Sequence, residues 1–417
     1  MYRPTIIHGL SLDSGSIDPV KLPSYAVNRS RRASLTTEQR RKLTLLRSNT
    51  VAAPPTPVSH IYHLVPCPRQ CCHQKYVVST DRSGDIHVHV QGDLSQQDKR
   101  CVFVTVHDLG TNHSSMVDYV NCPAMSEIKE RSCFIHIDVP GHEENSPDLP
   151  DSYQFPSLQT LGEDLITVLD FLHIRYAVGL GEGAGANVLA RCGLAHPRRL
   201  LGLILVNCTA STSSVADAFR TRFSRWKGTD ISQSEEDFLI YHKFGHVSLE
   251  TEPAFFRYQQ ISMEGGDAME RERMLSEYRS RLRGNLNTHN IKLYVKAFIN
   301  RKDLVLKGCQ PDILLITGTL SPYSAVVEKM YKEMEHKERV TILKVERVGD
   351  VLAEAPAKVS QSLLLFCQGQ GLLTSLPPPG VERRMSRAMS MEEYDKPNIR
   401  RLSLTPSASE SPPARKV

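Results

Sequence analysis

The sequence predicts an α/β domain built on a mostly parallel sheet, and three observations carry this prediction. Six continuous apolar runs of strand length follow one another along the chain, and helical patterns separate several of them. Strands that are apolar along their whole length are typical of parallel sheets, which are covered on both faces. A long stretch without strand-like runs, residues 210–303, interrupts this alternation once. Strands that alternate with helices indicate a parallel α/β architecture.

The individual elements can be placed in chain order. Two short alternating segments, 75–80 and 85–90, flank a turn at 81–84 and predict a β-hairpin at the start of the domain. The six apolar strands follow at 101–106, 133–139, 176–180, 201–207, 312–317 and 340–345. Residues 157–174 place six leucine or valine side chains at helical spacing, and 184–196 and 354–368 predict two further helices.

The stretch 210–303 predicts several helices, including 235–244 and 268–282, and we interpret it as a helical cap. An insertion at this point in the chain is expected to cover the carboxyl edge of the sheet, where ligands of open α/β sheets bind. We therefore expect a core formed by 60–209 and 304–371, with the cap at 210–303 between its two parts.

Both ends of the chain are predicted to be disordered tails, and they carry the excess positive charge. Residues 1–59 hold nine Lys/Arg and three Asp/Glu, and residues 372–417 hold eight and five, so the core is mildly acidic. A nucleic-acid-binding core would itself be basic, so no nucleic-acid partner is expected. No apolar run has the length of a membrane-spanning helix and no secretory signal is recognisable, so we expect a cytoplasmic protein.

The segment from Gly179 to Ala186 joins a predicted strand to a helix and is rich in glycine. Its spacing matches a dinucleotide-binding loop, but such a loop normally opens the first βαβ unit, and here at least two strands precede it. It also matches the G-x-S-x-G nucleophile elbow of α/β-hydrolases. In that frame Gly183 stands at the nucleophile position, and a residue without a side chain cannot form a covalent intermediate. A glycine-rich turn that serves packing alone also fits.

Two further positions of a hydrolase triad lack the expected residue. The acid is expected in a G-x-x-D pattern after the strand at 312–317, where this chain has Ser321. The histidine is expected after the strand at 340–345, where this chain has Asp350. A carboxylate cannot replace a histidine that has to take and return a proton near neutral pH. The loss of all three residues argues against triad catalysis.

Polar residues next to the strand ends are the candidates for lining a pocket. His107 and Asp108 follow the strand at 101–106, Asp138 belongs to a D-x-P-G turn, and Glu182 precedes the glycine of the elbow. Together with His142, these side chains could form an acid–base site that needs no covalent intermediate. An enzyme with a non-triad mechanism therefore remains an alternative.

Several strings in the core match one family together. They are His107-Asp-Leu-Gly110, Asp138-Val-Pro-Gly141, Tyr153-x-Phe-Pro-Ser157, Gly179-x-Gly-x-Gly-Ala-Gly-Ala186 and Asn300-Arg-Lys-Asp303. Over about residues 75–371 the chain resembles the N-myc downstream-regulated gene family, whose members are non-catalytic proteins of the α/β-hydrolase superfamily. The resemblance implies an α/β-hydrolase fold, a cytoplasmic role in stress response, differentiation and growth control, and phosphorylation of the tails.

Three serines in the tails match patterns that basophilic kinases recognise. Ser34, Ser386 and Ser403 each follow an R-R-x-S spacing, and Ser34 also satisfies R-x-R-x-x-S. Each phosphate adds a charge of about −1.5 to −2, so three would offset more than half of the positive charge of the tails. Protein partners and basophilic Ser/Thr kinases are therefore expected, and the basic arm could contact anionic lipid.

These observations predict a catalytically inactive α/β-hydrolase-like protein that serves as a signalling adaptor. A small-molecule receptor that uses the capped pocket is the second hypothesis. A deep, dry pocket beneath the cap would favour the receptor, whereas a pocket filled by side chains of the cap would favour the adaptor. No cofactor and no metal are expected.

Overall fold

The computed structural model describes residues 74–211, 231–245 and 265–378, all within one compact unit. Their central feature is an eight-stranded sheet with the order β1-β2-β4-β3-β5-β6-β7-β8. β1 and β2 are antiparallel to their neighbours, and all pairs from β4 to β8 are parallel. The strands are β1 Gln74–Thr80, β2 Gly84–Gln91, β3 Cys101–Val106, β4 Ser132–Asp138, β5 Ala177–Glu182, β6 Leu200–Val206, β7 Asp312–Gly318 and β8 Val340–Val345.

Ten α-helices lie within the described residues. They are α1 His113–Asn121, α2 Ser126–Glu130, α3 Leu158–Phe171, α4 Gly183–Ala195, α5 Gln233–Phe244, α6 Gly265–Gly284, α7 Thr288–Ile299, α8 Ser324–Glu333, α9 Val351–Glu354 and α10 Pro356–Gly369. Three short 3-10 helices accompany them at Leu94–Gln96, Pro123–Met125 and Lys337–Arg339. None of the helices in this part of the chain is long and apolar enough to span a membrane.

The predicted fold class is confirmed, and all eight predicted strands are present within two residues of their expected bounds. Helices α1 and α8 are not among the helices predicted from the sequence. Each has ten residues or fewer, and periodicity identifies such short helices less well than long ones. In α1, Asn112 caps the first turn by accepting a hydrogen bond from the Ser114 N–H, a local interaction that starts the helix.

Apolar side chains pack on both faces of the sheet, as a parallel sheet requires. Successive residues of a strand point to opposite faces. Accordingly Val102, Val104 and Val106 of β3 belong to one buried cluster, and Cys101 and Phe103 belong to the other. The sheet is therefore held rigidly between two cores, and its carboxyl edge provides fixed positions for polar side chains.

Helices α5 and α7 lie over this carboxyl edge. His242 of α5 contacts Asp108 in the loop after β3, and the Tyr294 ring of α7 packs edge-on against His107 in the same loop. The described residues of 210–303 are thus helical from 233 to 299, apart from short connections and the undescribed segment 246–264. The cap boundaries at 210 and 303 remain predictions, because 212–230 and 246–264 lie outside the described residues. Both tails also remain predictions, since 1–73 and 379–417 lie outside them as well.

Candidate functional site

The site at the carboxyl edge is built around the turn between β5 and α4. Gly183 is the first residue of α4 and has a φ angle of +50°, a left-handed conformation that favours glycine. A Cβ atom on Gly183 would collide with the carboxylate of Asp108. Gly185, two residues further, packs so closely against the Val106 carbonyl that a side chain has no room there. The turn therefore has a tight backbone path that depends on its glycines.

The Asp108 carboxylate fills the space in front of this turn. Its Oδ1 accepts a hydrogen bond of 2.8 Å from the Ala184 N–H, and its Oδ2 lies 2.8 Å from His242 Nε2. Burial alone would raise the pKa of Asp108, but the facing His242, the Ala184 amide and nearby Lys243 outweigh it and lower the pKa to about 2. Asp108 is therefore a buried carboxylate that stays ionised.

His242 reaches this carboxylate from the last turn of α5. Its Nδ1 is hydrogen-bonded to the Tyr323 hydroxyl, and its ring packs edge-on against Phe298 and Tyr323. Its side chain is completely buried, and both ring nitrogens have partners. The imidazole is thus fixed in place between the cap and the core.

Lys243, the next residue, forms a second contact between α5 and the core, which we call the buried ion cluster (Glu182, Lys243 and Asp350). Lys243 Nζ lies 2.6 Å from Glu182 Oε1 and 3.0 Å from Asp350 Oδ2. Asp350 also caps α9, because its Oδ1 accepts a hydrogen bond from the Leu352 N–H. All three charged side chains are at least nine-tenths buried. A single cation therefore bridges two buried carboxylates.

Burial and neighbouring charges shift the pKa values of Glu182 and Lys243 in this cluster. Burial, together with Asp350 and Asp108, raises the pKa of Glu182 to about 8 despite the opposing effect of Lys243. Burial lowers the pKa of Lys243, but Asp350 and Glu182 raise it more strongly, so the ammonium group stays charged. Glu182 is consequently a carboxyl group of this cluster whose protonation is favoured by its surroundings.

The other predicted residues lie around these contacts. His107 Nε2 accepts a hydrogen bond from the Val139 N–H, which leaves Nδ1 to donate to the Asp108 carbonyl. Burial lowers the pKa of His107, so the ring is neutral and held by backbone groups. Ser321 is buried, and its hydroxyl accepts a hydrogen bond from the Tyr323 N–H. Neither residue is arranged as a member of a proton relay.

Asp138 belongs to a different group, with His89 and His113. It accepts hydrogen bonds from the His113 N–H (2.6 Å) and Nδ1 (2.7 Å), and its Oδ2 lies 3.1 Å from His89 Nε2. These three side chains could in principle hold a metal ion, since their ligand atoms all lie within 4.8 Å of one another. The Asp138 carboxylate already binds both imidazoles through a single oxygen, Oδ2, and the two rings are stacked nearly parallel with their centroids 3.5 Å apart. The arrangement fits a hydrogen-bonded cluster better than a metal centre.

The sequence analysis did not single out the two cap residues that complete the site, His242 and Lys243. Both belong to a stretch that was predicted helical, but helical periodicity does not say which charged side chains turn inward. The sequence does contain a signal. His242 and Lys243 form a basic pair in the last turn of a helix that ends before Gly245, and the core is mildly acidic. Both residues also suit a helix C-terminus, where positive charge interacts favourably with the helix dipole.

A cleft of about 330 Å³ opens beside the buried ion cluster. The N-terminal half of α1, one face of α6 and the start of α9 form its walls, and Glu182, Lys243 and Asp350 lie at its inner end. The turn at Gly183 therefore has two neighbouring spaces. One is filled by Asp108 and His242, and the other is an open cleft of the size of a small-ligand site.

The arrangement limits the chemistry that this edge can support. Among the described residues, the turn presents no hydroxyl or thiol at Gly183, and the Ala184 amide is already bonded to Asp108. An amide at this place stabilises the oxyanion in hydrolases, and here a permanent anion occupies it. Proton exchange at Glu182 and hydrogen bonding to a ligand remain chemically possible.

Comparison with known proteins agrees with this architecture. An esterase from Thermogutta terrifontis aligns with a TM-score of 0.53 and 15% identity, over 71% of this chain and 99% of that one. An enol-lactonase from Burkholderia xenovorans aligns with a TM-score of 0.51 and 16% identity, over 70% of this chain and 99% of that one. At this level of identity the two alignments establish the α/β-hydrolase fold and nothing about activity.

Sequence comparison identifies the family. The model of the Ndr family matches residues 76–374. An uncharacterised protein of Caenorhabditis elegans is 37% identical over 80% of this chain and 95% of its own length. Protein NDRG3 of Xenopus laevis is 28% identical over 74% of this chain and 78% of its own length. The resemblance found in the sequence is thereby confirmed, and the chain belongs to the Ndr family.

Proposed function

We propose that this chain is a catalytically inactive α/β-hydrolase-like protein that acts as a phosphorylation-regulated signalling adaptor. By analogy with the family it resembles, its setting would be stress response, differentiation or growth control in the cytoplasm. The observation that carries the proposal is the contact between Asp108 and the turn at Gly183.

Asp108 blocks two positions that acyl transfer requires, the space for a nucleophilic side chain and the amide that would bind the oxyanion. Its carboxylate stands where a side chain at position 183 would project, and it takes the Ala184 N–H that would otherwise face an oxyanion. A carboxylate there repels a developing oxyanion as well as an attacking anion. Hydrolysis through a tetrahedral intermediate is therefore disfavoured for two reasons, and the presence of Ser321 at the acid position and Asp350 at the histidine position adds to them.

Side chains of the cap also support an adaptor over a receptor that uses the former catalytic centre. His242 and Lys243 extend from α5 into that centre and make buried hydrogen bonds there. Filling the space in this way fixes the cap on the core and leaves a stable outer surface for partner proteins. The adjoining cleft is a separate space.

We expect no turnover by the purified full-length chain when it is offered ester, thioester, lactone, epoxide and haloalkane substrates. The physical reason is the lack of a nucleophile together with the anion at the Ala184 amide. The measurement is product formation against a buffer blank, with Glu182→Gln and Asp138→Asn as controls. Turnover that disappears in either control would identify an acid–base enzyme and contradict the proposal.

The regulatory part of the proposal rests on the tails. Ser34, Ser386 and Ser403 lie outside the described residues, and their arginine-rich surroundings support them as acceptors for basophilic kinases. Three phosphates would lower the combined charge of the tails from +9 to about +3 to +4.5, and the C-terminal tail, which holds two of the sites, would become nearly neutral. Such a change can release a basic arm from anionic lipid or create a docking motif for a protein partner.

We expect an arginine-directed Ser/Thr kinase to phosphorylate the chain in its tails at these three serines. Mass spectrometry of the treated protein measures the sites, and the Ser34→Ala, Ser386→Ala and Ser403→Ala triple variant should lose most of the incorporated phosphate. Partner binding and sedimentation with vesicles that contain phosphatidylserine are then compared between the two forms. Equal incorporation in the triple variant, or identical binding by both forms, would refute phosphorylation at these sites as the regulatory device.

A further inference from the structure

The cleft beside the buried ion cluster has an unbalanced charge. Six carboxylates and three basic side chains line it. Its walls also include apolar side chains such as Phe244, Met274 and Leu352. A space of about 330 Å³ with apolar walls and a few polar groups at its inner end has the character of a small-ligand site.

Two polar atoms at the inner end lack a hydrogen-bond partner among the described residues. One is Glu182 Oε2, and the other is the Tyr278 hydroxyl. Both residues line the cleft, but the two atoms have almost no exposed surface, so a ligand has to displace a neighbouring side chain to reach them. Buried polar atoms in native proteins are nearly always hydrogen-bonded, so two such atoms at the end of one cleft point to a missing partner.

The charges around Glu182 indicate what kind of partner is missing. Asp108 and Asp350 face it from the core, the Tyr278 hydroxyl faces it from α6, and Lys243 is the cation that pairs with it. Three carboxylates thus share one ammonium group and the neighbouring imidazole of His242. Burial, together with Asp350 and Asp108, raises the pKa of Glu182, so the surroundings of this carboxyl group favour an added positive charge, as a proton or as a ligand cation.

We propose that this cleft binds a small primary alkylamine, with its ammonium group hydrogen-bonded to Glu182 Oε2 and the Tyr278 hydroxyl and its alkyl chain along the apolar wall. An ammonium group carries three donors and no acceptor, which suits two oxygen acceptors. Binding of the cation replaces the proton on Glu182, and that proton leaves to solvent. One amine bound therefore releases up to one proton, and no covalent bond changes.

Other ligand classes fit less well. A carboxylate or phosphate would meet six carboxylates in the cleft. A neutral alcohol could bond to the same two oxygens but would leave the charge around Glu182 unbalanced. This inference is independent of the proposed adaptor role, since an adaptor can have or lack such a ligand.

The test is calorimetric titration of the full-length protein with 1,4-diaminobutane and n-butylamine at pH 7, in two buffers of different ionisation enthalpy. 1-Butanol, which matches butylamine in size, is the control ligand. We expect the amines to bind with release of close to one proton and the alcohol to bind at least tenfold more weakly. Affinity should fall about tenfold from pH 7 to pH 6, because a higher proton concentration competes for Glu182.

Variants distinguish amine binding at this site from non-specific attraction of a cation to an acidic protein surface. Glu182→Gln should abolish proton release and weaken amine binding at least tenfold, and Tyr278→Phe should weaken it about three- to tenfold. Glu277→Gln removes a half-exposed carboxylate at the rim and should change binding less than twofold. Absence of amine binding at millimolar concentration, binding without proton release, or equal effects of the Glu182 and Glu277 variants would each overturn the inference. If Glu182→Gln fails to fold, proton release by the unmodified protein and the Tyr278→Phe variant still decide it.

Discussion

Replacing Lys243 by methionine is expected to lower the free energy of unfolding by about 3–5 kcal/mol, the usual cost of leaving buried charges without their partner. Methionine keeps much of the length and apolar contact of the lysine side chain, so the loss reports on the charge. In the variant, Glu182 and Asp350 remain buried at the end of α5 without the ammonium group that joins them. Thermal or urea unfolding of the full-length protein measures the difference.

The loss of stability in Lys243→Met should increase with pH. Without Lys243, the folded-state pKa of Glu182, which already lies above the unfolded value near 4, rises further. A carboxyl group with a raised folded pKa favours the folded state at low pH, and this contribution is lost as the pH rises through the folded value. The deficit of Lys243→Met should therefore be small near pH 5 and largest between pH 8 and 9.

The matched control is Lys329→Met, which removes an exposed lysine whose ion pair with Glu333 lies on the surface of α8. Such pairs contribute about 0–1 kcal/mol, so this variant should unfold almost as the unmodified protein does at every pH. A deficit for Lys243→Met below about 1 kcal/mol, or one that does not change with pH, would contradict the role of Lys243 as the cation that bridges the cap and the core.

The sequence predicts the strands well, but it does not predict which partners the charged residues at the strand ends will have. Strands such as β3 and β7 are recognisable because each contains an uninterrupted run of four apolar residues, as burial on both faces of the sheet requires. The glycines of the elbow are equally visible, since few other turns need three glycines in five residues. These features depend on local sequence alone, and the structure places both where the sequence does.

The partners of the charged side chains depend on tertiary packing, and sequence does not give them. Asp108 lies just after β3 and Asp138 is the last residue of the neighbouring strand β4, so the sequence gives no reason to distinguish them. Yet Asp108 pairs with His242 of the cap, 134 residues away, whereas Asp138 accepts from His113, 25 residues away. Which of the two carboxylates faces the elbow is decided by backbone directions after the strand ends. The sequence places these carboxylates at the same edge of the sheet, and only the folded structure shows that Asp108 contacts the elbow while Asp138 contacts His89 and His113.

Substituting Gly183 by alanine is expected to cost about 2–4 kcal/mol of stability. Part of this is the strain of a side chain at positive φ, about 1–2 kcal/mol, and the rest is overpacking against the Asp108 carboxylate. In an Asp108→Ala background the overpacking is absent. There the same substitution should cost only the backbone strain, about 1–2 kcal/mol. The double-mutant cycle, measured by urea unfolding, should thus give a coupling energy of at least about 1 kcal/mol.

Gly308→Ala provides the matched control for backbone strain. Gly308 has a φ angle of +76°, and an added Cβ would meet no atom within 4 Å. Its substitution should cost about 1–2 kcal/mol and show no coupling to Asp108→Ala. If Gly183→Ala costs no more than Gly308→Ala, or is additive with Asp108→Ala, then Asp108 does not fill the space of the missing nucleophile. If the coupling is found, a serine at position 183 could be accommodated only together with a change at Asp108, so a single substitution would not recreate a catalytic centre.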